Sequence, residues 1–254
     1  MTARTVRRSI RPAATLTALL VMCGWFAAPA RAQPANSVFR LSYWPASTTA
    51  ADNSTETQVG TWTTGFWALD YRGRFSGPLG VHLQLAGGAQ SDGGGLWSPS
   101  TSGTDTIWSG NLVYEWALAG ASLRVLAGYG SLRWTSSSVA GFPSFGAPQT
   151  LTSRGFRVGA EVELPISQRL TLTGSVARYP SNSTTFETTG ISSSSSSSAN
   201  DFAASLTYAV TGNWLLEAGY RVTWVNSGRH DLGGTVWNTT VQWQGAVLTV
   251  GARF

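Results

Sequence analysis

The sequence contains no lysine, one cysteine and two histidines, and charged residues make up only 11% of its 254 residues. A zinc or similar site built from cysteine and histidine ligands needs more of these residues than the chain offers. The single cysteine, Cys23, lies near the N-terminus, so the rest of the chain has no thiol and forms no disulfide. We therefore expect no metal, no other cofactor and no small disulfide-stapled module.

The formal net charge of +5 comes entirely from the N-terminal segment. Four arginines between residues 4 and 11 precede an apolar run over residues 13–28, and Ala30-Arg31-Ala32 follows as a small-x-small cleavage sequence. The apolar run is shorter than the roughly 20 residues of a transmembrane helix. This order predicts a cleaved secretory signal peptide over residues 1–32 and a mature domain over residues 33–254.

Removal of the leader leaves twelve arginines against twelve acidic residues. The exported chain is then neutral, and it lacks the basic surface that a nucleic-acid partner requires. Export without cysteines is compatible with a bacterial envelope.

Beyond residue 36 the dominant pattern is a period-two alternation of apolar and polar residues, which is typical of β-strands. In the clearest segment, residues 213–225, Trp214 and Tyr220 share one face while Glu217 and Arg221 share the other. Ten strands are expected, near residues 38–46, 58–72, 79–90, 106–118, 121–134, 156–164, 169–180, 202–210, 213–225 and 237–254.

The connections between these segments alternate in length. Short connections fall near residues 73–78, 119–120, 165–168 and 211–213, and long ones near 47–57, 91–105, 135–149, 181–200 and 226–236. The longest includes seven consecutive serines at residues 192–198, which we expect to form a mobile loop. Short and long connections in alternation predict an all-β fold, a transmembrane antiparallel up-and-down barrel of about ten strands, with eight or twelve as alternatives.

Two tryptophans allow a check of this hypothesis against the thickness of a membrane. Trp214 and Trp224 share a face and are ten residues apart. At roughly 3.3 Å per residue and a tilt of about 40–45°, they are separated by roughly 23–25 Å along the membrane normal. The apolar band of a membrane barrel is about 25 Å tall with aromatic residues at both rims, so we expect one tryptophan at each interface.

The chain ends in the alternating sequence VLTVGARF, with Leu248, Val250, Ala252 and Phe254 on one face. This stretch resembles the C-terminal β-signal of bacterial outer-membrane proteins, an alternating strand that ends in phenylalanine. The resemblance covers only the last strand. It implies a location in the outer membrane, outer-membrane lipid as a neighbour, and insertion by the barrel-assembly machinery through that strand.

The charged residues fall on the face opposite to the apolar one and are expected to line the lumen. They are Arg40, Asp70, Arg72, His82, Glu115, Arg124, Arg157, Glu161, Glu163, Glu217, Arg221 and Arg253, with Gln84 beside them. If Ala119-Gly120 is a two-residue hairpin loop, Glu115 lies directly across from Arg124. Such pairs more often satisfy each other inside a protein than serve a ligand.

A ten-stranded barrel lies close to the size at which side chains fill the lumen. Inward-facing Trp44, Trp62 and Phe66 would narrow it further, which argues against a wide porin. A narrow passive channel for small solutes or ions and a closed structural barrel both remain open. A third possibility is a barrel whose loops bind a partner, through stretches such as residues 96–99 and 142–145.

An enzymatic role has little support in the sequence, and we expect a monomer without catalytic activity. His230-Asp231 is the only His–Asp neighbour pair, and adjacent residues on a strand point to opposite faces. Outer-membrane proteases of the omptin type combine an Asp-x-His spacing with a second pair of aspartates, and this chain has neither. A hydrolase that uses His230 and Asp231 is the weakest of the hypotheses.

Overall fold

A computed structural model describes residues 37–52, 57–91, 103–118, 120–136, 149–188, 191–232 and 235–254. The expected signal peptide and the loop stretches 96–99 and 142–145 lie outside these residues. The strands are β1 (Ser37–Asp52), β2 (Thr57–Ser76), β3 (Leu79–Ser91), β4 (Thr104–Leu118), β5 (Ala121–Ser136), β6 (Gln149–Pro165), β7 (Leu170–Thr188), β8 (Ile191–Ala209), β9 (Trp214–Asn226), β10 (His230–Leu232), β11 (Thr235–Trp237) and β12 (Thr239–Arg253). Within the described residues no helix is long and apolar enough to cross a membrane.

Ten of these strands form one closed antiparallel barrel, and the prediction of about ten strands is confirmed. β12 pairs with β9 because β10 and β11 form a separate two-stranded hairpin. β1 and β12 close the ring with a register that runs from Val38 opposite Arg253 to Asp52 opposite Thr239. At one end of this ladder the amide of Phe254 donates to the carbonyl of Ser37 at 3.0 Å. Hydrogen bonding between the two strands therefore extends to the terminal phenylalanine.

The period-two alternation places apolar side chains on the outside of the barrel. Leu216, Tyr220 and Leu248 expose 50%, 50% and 61% of their surfaces. Outward-facing leucine, valine and aromatic residues occur on all ten barrel strands. A soluble monomer seldom exposes so extensive an apolar surface, whereas hydrocarbon solvates such a band around a membrane barrel. The molecule is thus an all-β membrane barrel with an apolar outer surface.

The two ends of the barrel differ in the length of their connections. The turn end carries short connections, such as residues 77–78 and 119–120, together with Ser37 and Phe254. Gly77 and Gly120 adopt φ values of 55° and 77° there, a region that glycine occupies without strain. The opposite end, which we call the loop end, carries the long connections between β3 and β4 and between β5 and β6.

The seven serines do not form the mobile loop that was predicted for them, and that prediction is wrong. Residues 192–198 belong to β8, and Ser192 to Ser197 pair with residues 182–187 of β7. Hydroxyl contacts join the two strands, including Ser194 to Thr185 at 3.2 Å. The hydrogen bonds between paired strands join backbone groups, which serine has like any other non-proline residue. The serine run can therefore form a strand because β7 offers a partner strand beside it.

Two other regions predicted as long connections also contain more β-strand than expected. β1 continues to Asp52 and β2 begins at Thr57, so the connection predicted over residues 47–57 is short. The connection predicted over residues 226–236 contains β10 and forms the β10–β11 hairpin.

Trp214 and Trp224 occupy opposite ends of the outward face of β9. Trp214 is the first residue of β9 at the turn end, and 38% of its surface is exposed. Trp224 is half-buried near the loop end and stacks on Phe202, with ring centroids 5.1 Å apart. Their positions match the two rims of an apolar band, which remains a prediction for a membrane experiment.

Candidate functional site: the interior of the barrel

The interior is divided into two regions of opposite chemistry. The half toward the loop end contains an apolar core, formed by Trp44, Ala46, Ala50, Trp62, Phe66, Ala68, Ala86, Ile107, Leu132, Trp134, Leu151, Tyr179, Phe186, Ala199, Val225, Val241 and Trp243. The half toward the turn end contains a charged cluster, formed by Arg40, Asp70, Arg72, Arg74, His82, Glu115, Arg124, Arg157, Glu161, Glu163, Asp201, Glu217 and Arg221.

Every barrel strand contributes at least one side chain to the apolar core. Trp44 stacks on Phe66 with ring centroids 4.9 Å apart, and Trp62 stacks on Trp134 at 5.9 Å. No member exposes more than 7% of its surface. Buried rings stacked at this separation pack closely against each other in this half of the interior.

One carboxyl group, that of Asp105, lies beside this apolar core. It accepts hydrogen bonds from Thr64 Oγ1 and Gln90 Nε2, both at 2.9 Å, and from Trp243 Nε1 at 3.0 Å. Among the described residues no arginine or histidine forms an ion pair with it. Sequence reasoning missed this residue because it assigned residues 91–105 to a loop. Asp105 lies two residues before the inward-facing Ile107, and the period of two residues in a strand could have predicted that it also faces the interior.

Asp70 is a centre of the charged cluster. It accepts a close hydrogen bond from His82 Nε2 and another from Arg40 Nη1 at 3.4 Å. Arg72 Nε lies 3.3 Å from the same carboxylate. The ladder brings these groups together, because Arg40 is in register with Asp70, and Arg72 with His82.

Glu161 and Arg124 form a second centre. Glu161 Oε1 accepts hydrogen bonds from Arg72 Nη1 at 2.5 Å and from Arg124 Nη1 at 2.8 Å. Arg124 also donates to Glu115 at 3.0 Å and, through both terminal nitrogens, to Glu163. The predicted pair of Glu115 and Arg124 is therefore present, in the register that the two-residue turn favours.

Asp201 forms a third centre, next to the apolar core. Arg221 donates to both of its oxygens, through Nε at 2.9 Å and Nη2 at 2.8 Å, in a bidentate pair. Arg157 Nη2 and Thr223 Oγ1 donate to the same carboxylate at 3.3 and 2.8 Å. The guanidinium of Arg221 lies 5.2 Å from the ring centroid of Trp44, so this centre joins the two regions.

The structure brings together all but one of the residues that were predicted to line the lumen. Eleven belong to the charged cluster, namely Arg40, Asp70, Arg72, His82, Glu115, Arg124, Arg157, Glu161, Glu163, Glu217 and Arg221. Arg253 lines the cavity at the turn end instead. Sequence reasoning missed Asp201, because it assigned residues 181–200 to a loop and began the strand at Phe202. It also missed Arg74, in the short connection predicted over residues 73–78.

Two cavities lie within the charged half. One of about 290 Å³ opens at the turn end and is lined by Arg40, Arg72, Arg124 and Arg253 among others. The second, of about 120 Å³, lies deeper in the barrel and reaches Trp44 at the border of the apolar core. Both are large enough for water.

His230 and Asp231 do not form a catalytic pair in this structure. His230 is 1% exposed, its Nε2 donates to the carbonyl of Ser227 at 2.9 Å, and its ring packs on Phe186. Asp231, the next residue of β10, is exposed on the opposite side of the hairpin. Burial lowers the pKa of the His230 imidazole below its ordinary value, and the carbonyl groups of Ser227 and Ser193 partly offset this effect. His230 therefore anchors the hairpin to the barrel wall.

No group of three or more histidine, cysteine, aspartate or glutamate side chains is placed to hold a metal ion within the described ranges. The carboxylates of the charged cluster are instead paired with arginines.

Comparison with known proteins identifies the fold and no family. No protein-family model and no curated protein matches the chain. Among solved structures, the chain is similar to the outer-membrane protease OmpT from Escherichia coli, with a TM-score of 0.57 and 11% identity over 89% of this chain and 99% of that one. It also matches the translocator domain of the autotransporter NalP from Neisseria meningitidis (TM-score 0.47, 12% identity, 95% and 96% covered) and Neisserial surface protein A (0.38, 14%, 86% and 97%). The match to OmpT shows that the barrel has the fold of bacterial outer-membrane proteins, as the terminal strand implied.

Replacement of Asp201 tests whether the charged cluster is structural. Asp201→Asn leaves Arg157 and Arg221 buried without their shared carboxylate, and we expect a loss of about 3–5 kcal/mol in the free energy of unfolding. Urea unfolding of the refolded barrel in detergent measures it. The control is Glu187→Gln at an exposed site on β7, with an expected change within about 0.5 kcal/mol. Equal effects of the two substitutions would contradict a structural role for the cluster.

The lowered pKa of His230 predicts that acid loosens the β10–β11 hairpin. An unfolded hairpin takes up the proton below a pH of about 6.5, whereas the folded hairpin resists it until the pH falls through the lowered pKa. The stabilisation is therefore complete above that range and is lost on acidification. Amide hydrogen exchange of residues 227–239 should show less protection at pH 5 than at pH 7.5. In His230→Gln the dependence should disappear, and its persistence there would assign the effect to another group.

Proposed function

We propose that this protein is an outer-membrane barrel whose lumen is closed to solutes, and that it serves as a structural scaffold displaying its loop end at the cell surface. Residues 1–32, outside the described part of the chain, act in this proposal as the export signal. The last strand acts as the signal for barrel assembly. The observation that carries the proposal is the apolar core, to which all ten barrel strands contribute.

The outward surface supports a location in a membrane. Its apolar band begins at the turn end with residues such as Trp116 and Trp214 and continues to Trp108 and Trp224. Tryptophan and tyrosine favour membrane–water interfaces because their rings combine an apolar body with a polar group. An outer-membrane barrel has the same arrangement, with the short turns in the periplasm and the longer connections outside.

The chemistry of the two interior regions supports a closed lumen. An ion entering from the turn end finds arginines and carboxylates that already neutralise each other, as in the pair of Arg221 with Asp201. Beyond Trp44 it would meet the buried rings and aliphatic side chains of the apolar core, with a few buried polar groups such as Thr64 and Asp105 that are already hydrogen-bonded to each other. Transfer of an unpaired ion into such surroundings costs many kcal/mol, so this region is a barrier to ion passage. The structure therefore supports a closed barrel better than the narrow passive channel that the sequence also allowed.

At the loop end, part of the barrel extends beyond the apolar band, which supports the scaffold role. The same exposed part supports a second candidate function, the binding of a partner. β8 has 19 residues, which at roughly 3.3 Å per residue and a tilt of about 40° span roughly 48 Å along the membrane normal. The apolar band needs about 25 Å. The β7–β8 hairpin thus extends roughly 20 Å beyond the band, and its outer part carries the serine run.

The membrane location predicts two properties of the purified protein. We expect it to require detergent for solubility, and to migrate faster in an electrophoresis gel when the sample is not heated, because a closed barrel stays compact until heat breaks its ladder. A protein that stays soluble without detergent and shows no such shift would overturn the proposal.

The closed lumen predicts that planar bilayers containing the refolded protein show no stable conductance steps. The double variant W62A/W134A removes a stacked pair from the apolar core, and we expect its conductance to rise above that of the unmodified protein as water enters the space. The matched control is W108A/Y129A, which removes an outward pair with centroids 6.0 Å apart and should remain closed. Sustained conductance steps from the unmodified protein would contradict the closed lumen.

A further inference from the structure

The outward face of the barrel carries almost no charge, and its few charged residues are concentrated on one side. Among the barrel strands whose side chains are described, the outward-facing charged residues are Arg133 on β5, Arg154 on β6, and Arg178 and Glu187 on β7. Three of the four are arginines on three consecutive strands. We call Arg133, Arg154 and Arg178 the arginine patch.

The register of the ladder places two members of the arginine patch side by side. Arg154 pairs with Ser131, and Arg133 pairs with Thr152. The two arginines are therefore diagonal neighbours on adjacent strands, a relationship that separates Cα atoms by about 7–8 Å and lies within reach of long side chains. One phosphate group between them can accept hydrogen bonds from both guanidinium groups.

Arg178 extends the arginine patch along the next strand. It is in register with Val158 of β6 on one side and Asn200 of β8 on the other. Asn200 is in turn in register with Trp224, the tryptophan near the loop-end rim of the apolar band. Val158 lies four residues closer to the turn end than Arg154, so Arg178 is offset from the other two arginines along the ladder. Its long side chain can extend its charge toward the headgroups while its methylene groups stay in contact with apolar surface.

The position of the patch relative to the apolar band is also defined by its neighbours. Tyr129 lies four residues closer to the turn end than Arg133, and Phe156 lies two residues closer to it than Arg154. Tyr129 and Phe156 expose 48% and 50% of their surfaces on the outward face. Arg133 and Arg154 thus lie beyond the last outward aromatic residues of β5 and β6, at the headgroup level of the leaflet at the loop end.

In the described part of the chain, no carboxylate is paired with any of the three arginines. All three are exposed, and within the described ranges none has a hydrogen bond or ion pair with another residue. Glu187 is in register with Thr150, four residues from Arg154 on β6 and farther toward the loop end. Inside the same barrel, by contrast, Arg124 and Arg221 are paired with carboxylates. The arginine patch is therefore open to an anion from its surroundings.

We propose that the arginine patch binds the phosphate group of a lipid headgroup in the leaflet at the loop end; this rests on the proposed membrane location. Arg133 and Arg154 hold the phosphate, and Arg178 contacts the same headgroup or its neighbour. Guanidinium groups match phosphate through paired hydrogen bonds, which a lysine ammonium does not provide. The exposed Tyr129, Phe156 and the wall below them contact the acyl chains, a surface that free phosphate would not use.

Lipid binding in neutral detergent, measured by native mass spectrometry, tests the proposal. The probes are phosphatidate and phosphatidylcholine with identical acyl chains, and inorganic phosphate as competitor. We expect phosphatidate to bind about tenfold or more tightly than phosphatidylcholine, since exposed ionic contacts contribute about two- to fivefold each. The triple variant R133Q/R154Q/R178Q should bind the two lipids equally. The control R169Q removes an exposed arginine from the short turn at the opposite end and should keep the preference.

The heat-dependent gel shift is measured for every variant and tests the membrane barrel itself. The lipid-binding results therefore test the arginine patch separately. A triple variant that keeps its phosphatidate preference, or an equal loss in R169Q, overturns the arginine patch as a lipid site. Displacement of phosphatidate by inorganic phosphate at millimolar concentration would identify a free-phosphate site and overturn the lipid assignment. If the triple variant shows no gel shift, the single variants R133Q and R154Q are compared instead, with a two- to fivefold loss expected in each.

Discussion

The hydrogen-bonded closure of β1 on β12 is the constraint on which the rest of the structure depends. Hydrocarbon offers no hydrogen bonds, so a sheet in a membrane must leave no open edge. Here the ladder runs from Asp52 opposite Thr239 to the pairing of Ser37 with Phe254. Once the ring is closed, every strand has one face toward lipid and one toward a narrow interior. The alternation of residues along all ten strands follows from that division.

The narrow interior then has to be filled, and the two halves of the barrel solve this problem differently. Near the loop end, tryptophan, phenylalanine and aliphatic side chains from all ten strands pack together. Near the turn end, arginines and carboxylates neutralise each other, and the use of arginine in place of lysine suits this task, because one guanidinium can bind two carboxylates. Arg124, which contacts Glu115, Glu161 and Glu163, illustrates the advantage. A cluster that satisfies itself in this way leaves little charge for a solute.

Much of this arrangement could be predicted from the sequence because side-chain direction in a strand has a period of two residues. That period placed Arg40 and Asp70 on the interior face, and a two-residue turn was sufficient to predict the pairing of Glu115 with Arg124. The serine run and Asp201 were assigned wrongly because a strand at the end of a long hairpin is stabilised by its neighbour's backbone. Composition gives no information on that neighbour. The division of the interior into two halves also depends on the register between strands, which alternation within one strand does not define.

The arginines on both faces of the barrel need an anion, but the source of that anion differs between the interior and the lipid-facing surface. A guanidinium that faces the interior is buried, so the chain itself has to provide its anion, as Asp201 does for Arg157 and Arg221. A guanidinium that faces outward at the rim of the apolar band has its anions provided by the surrounding leaflet, and Arg133 and Arg154 accordingly have no carboxylate beside them in the described strands. The absence of a protein partner is costly inside the barrel and costs little at this rim. The same residue type therefore fixes the fold on one face and is available for a lipid headgroup on the other.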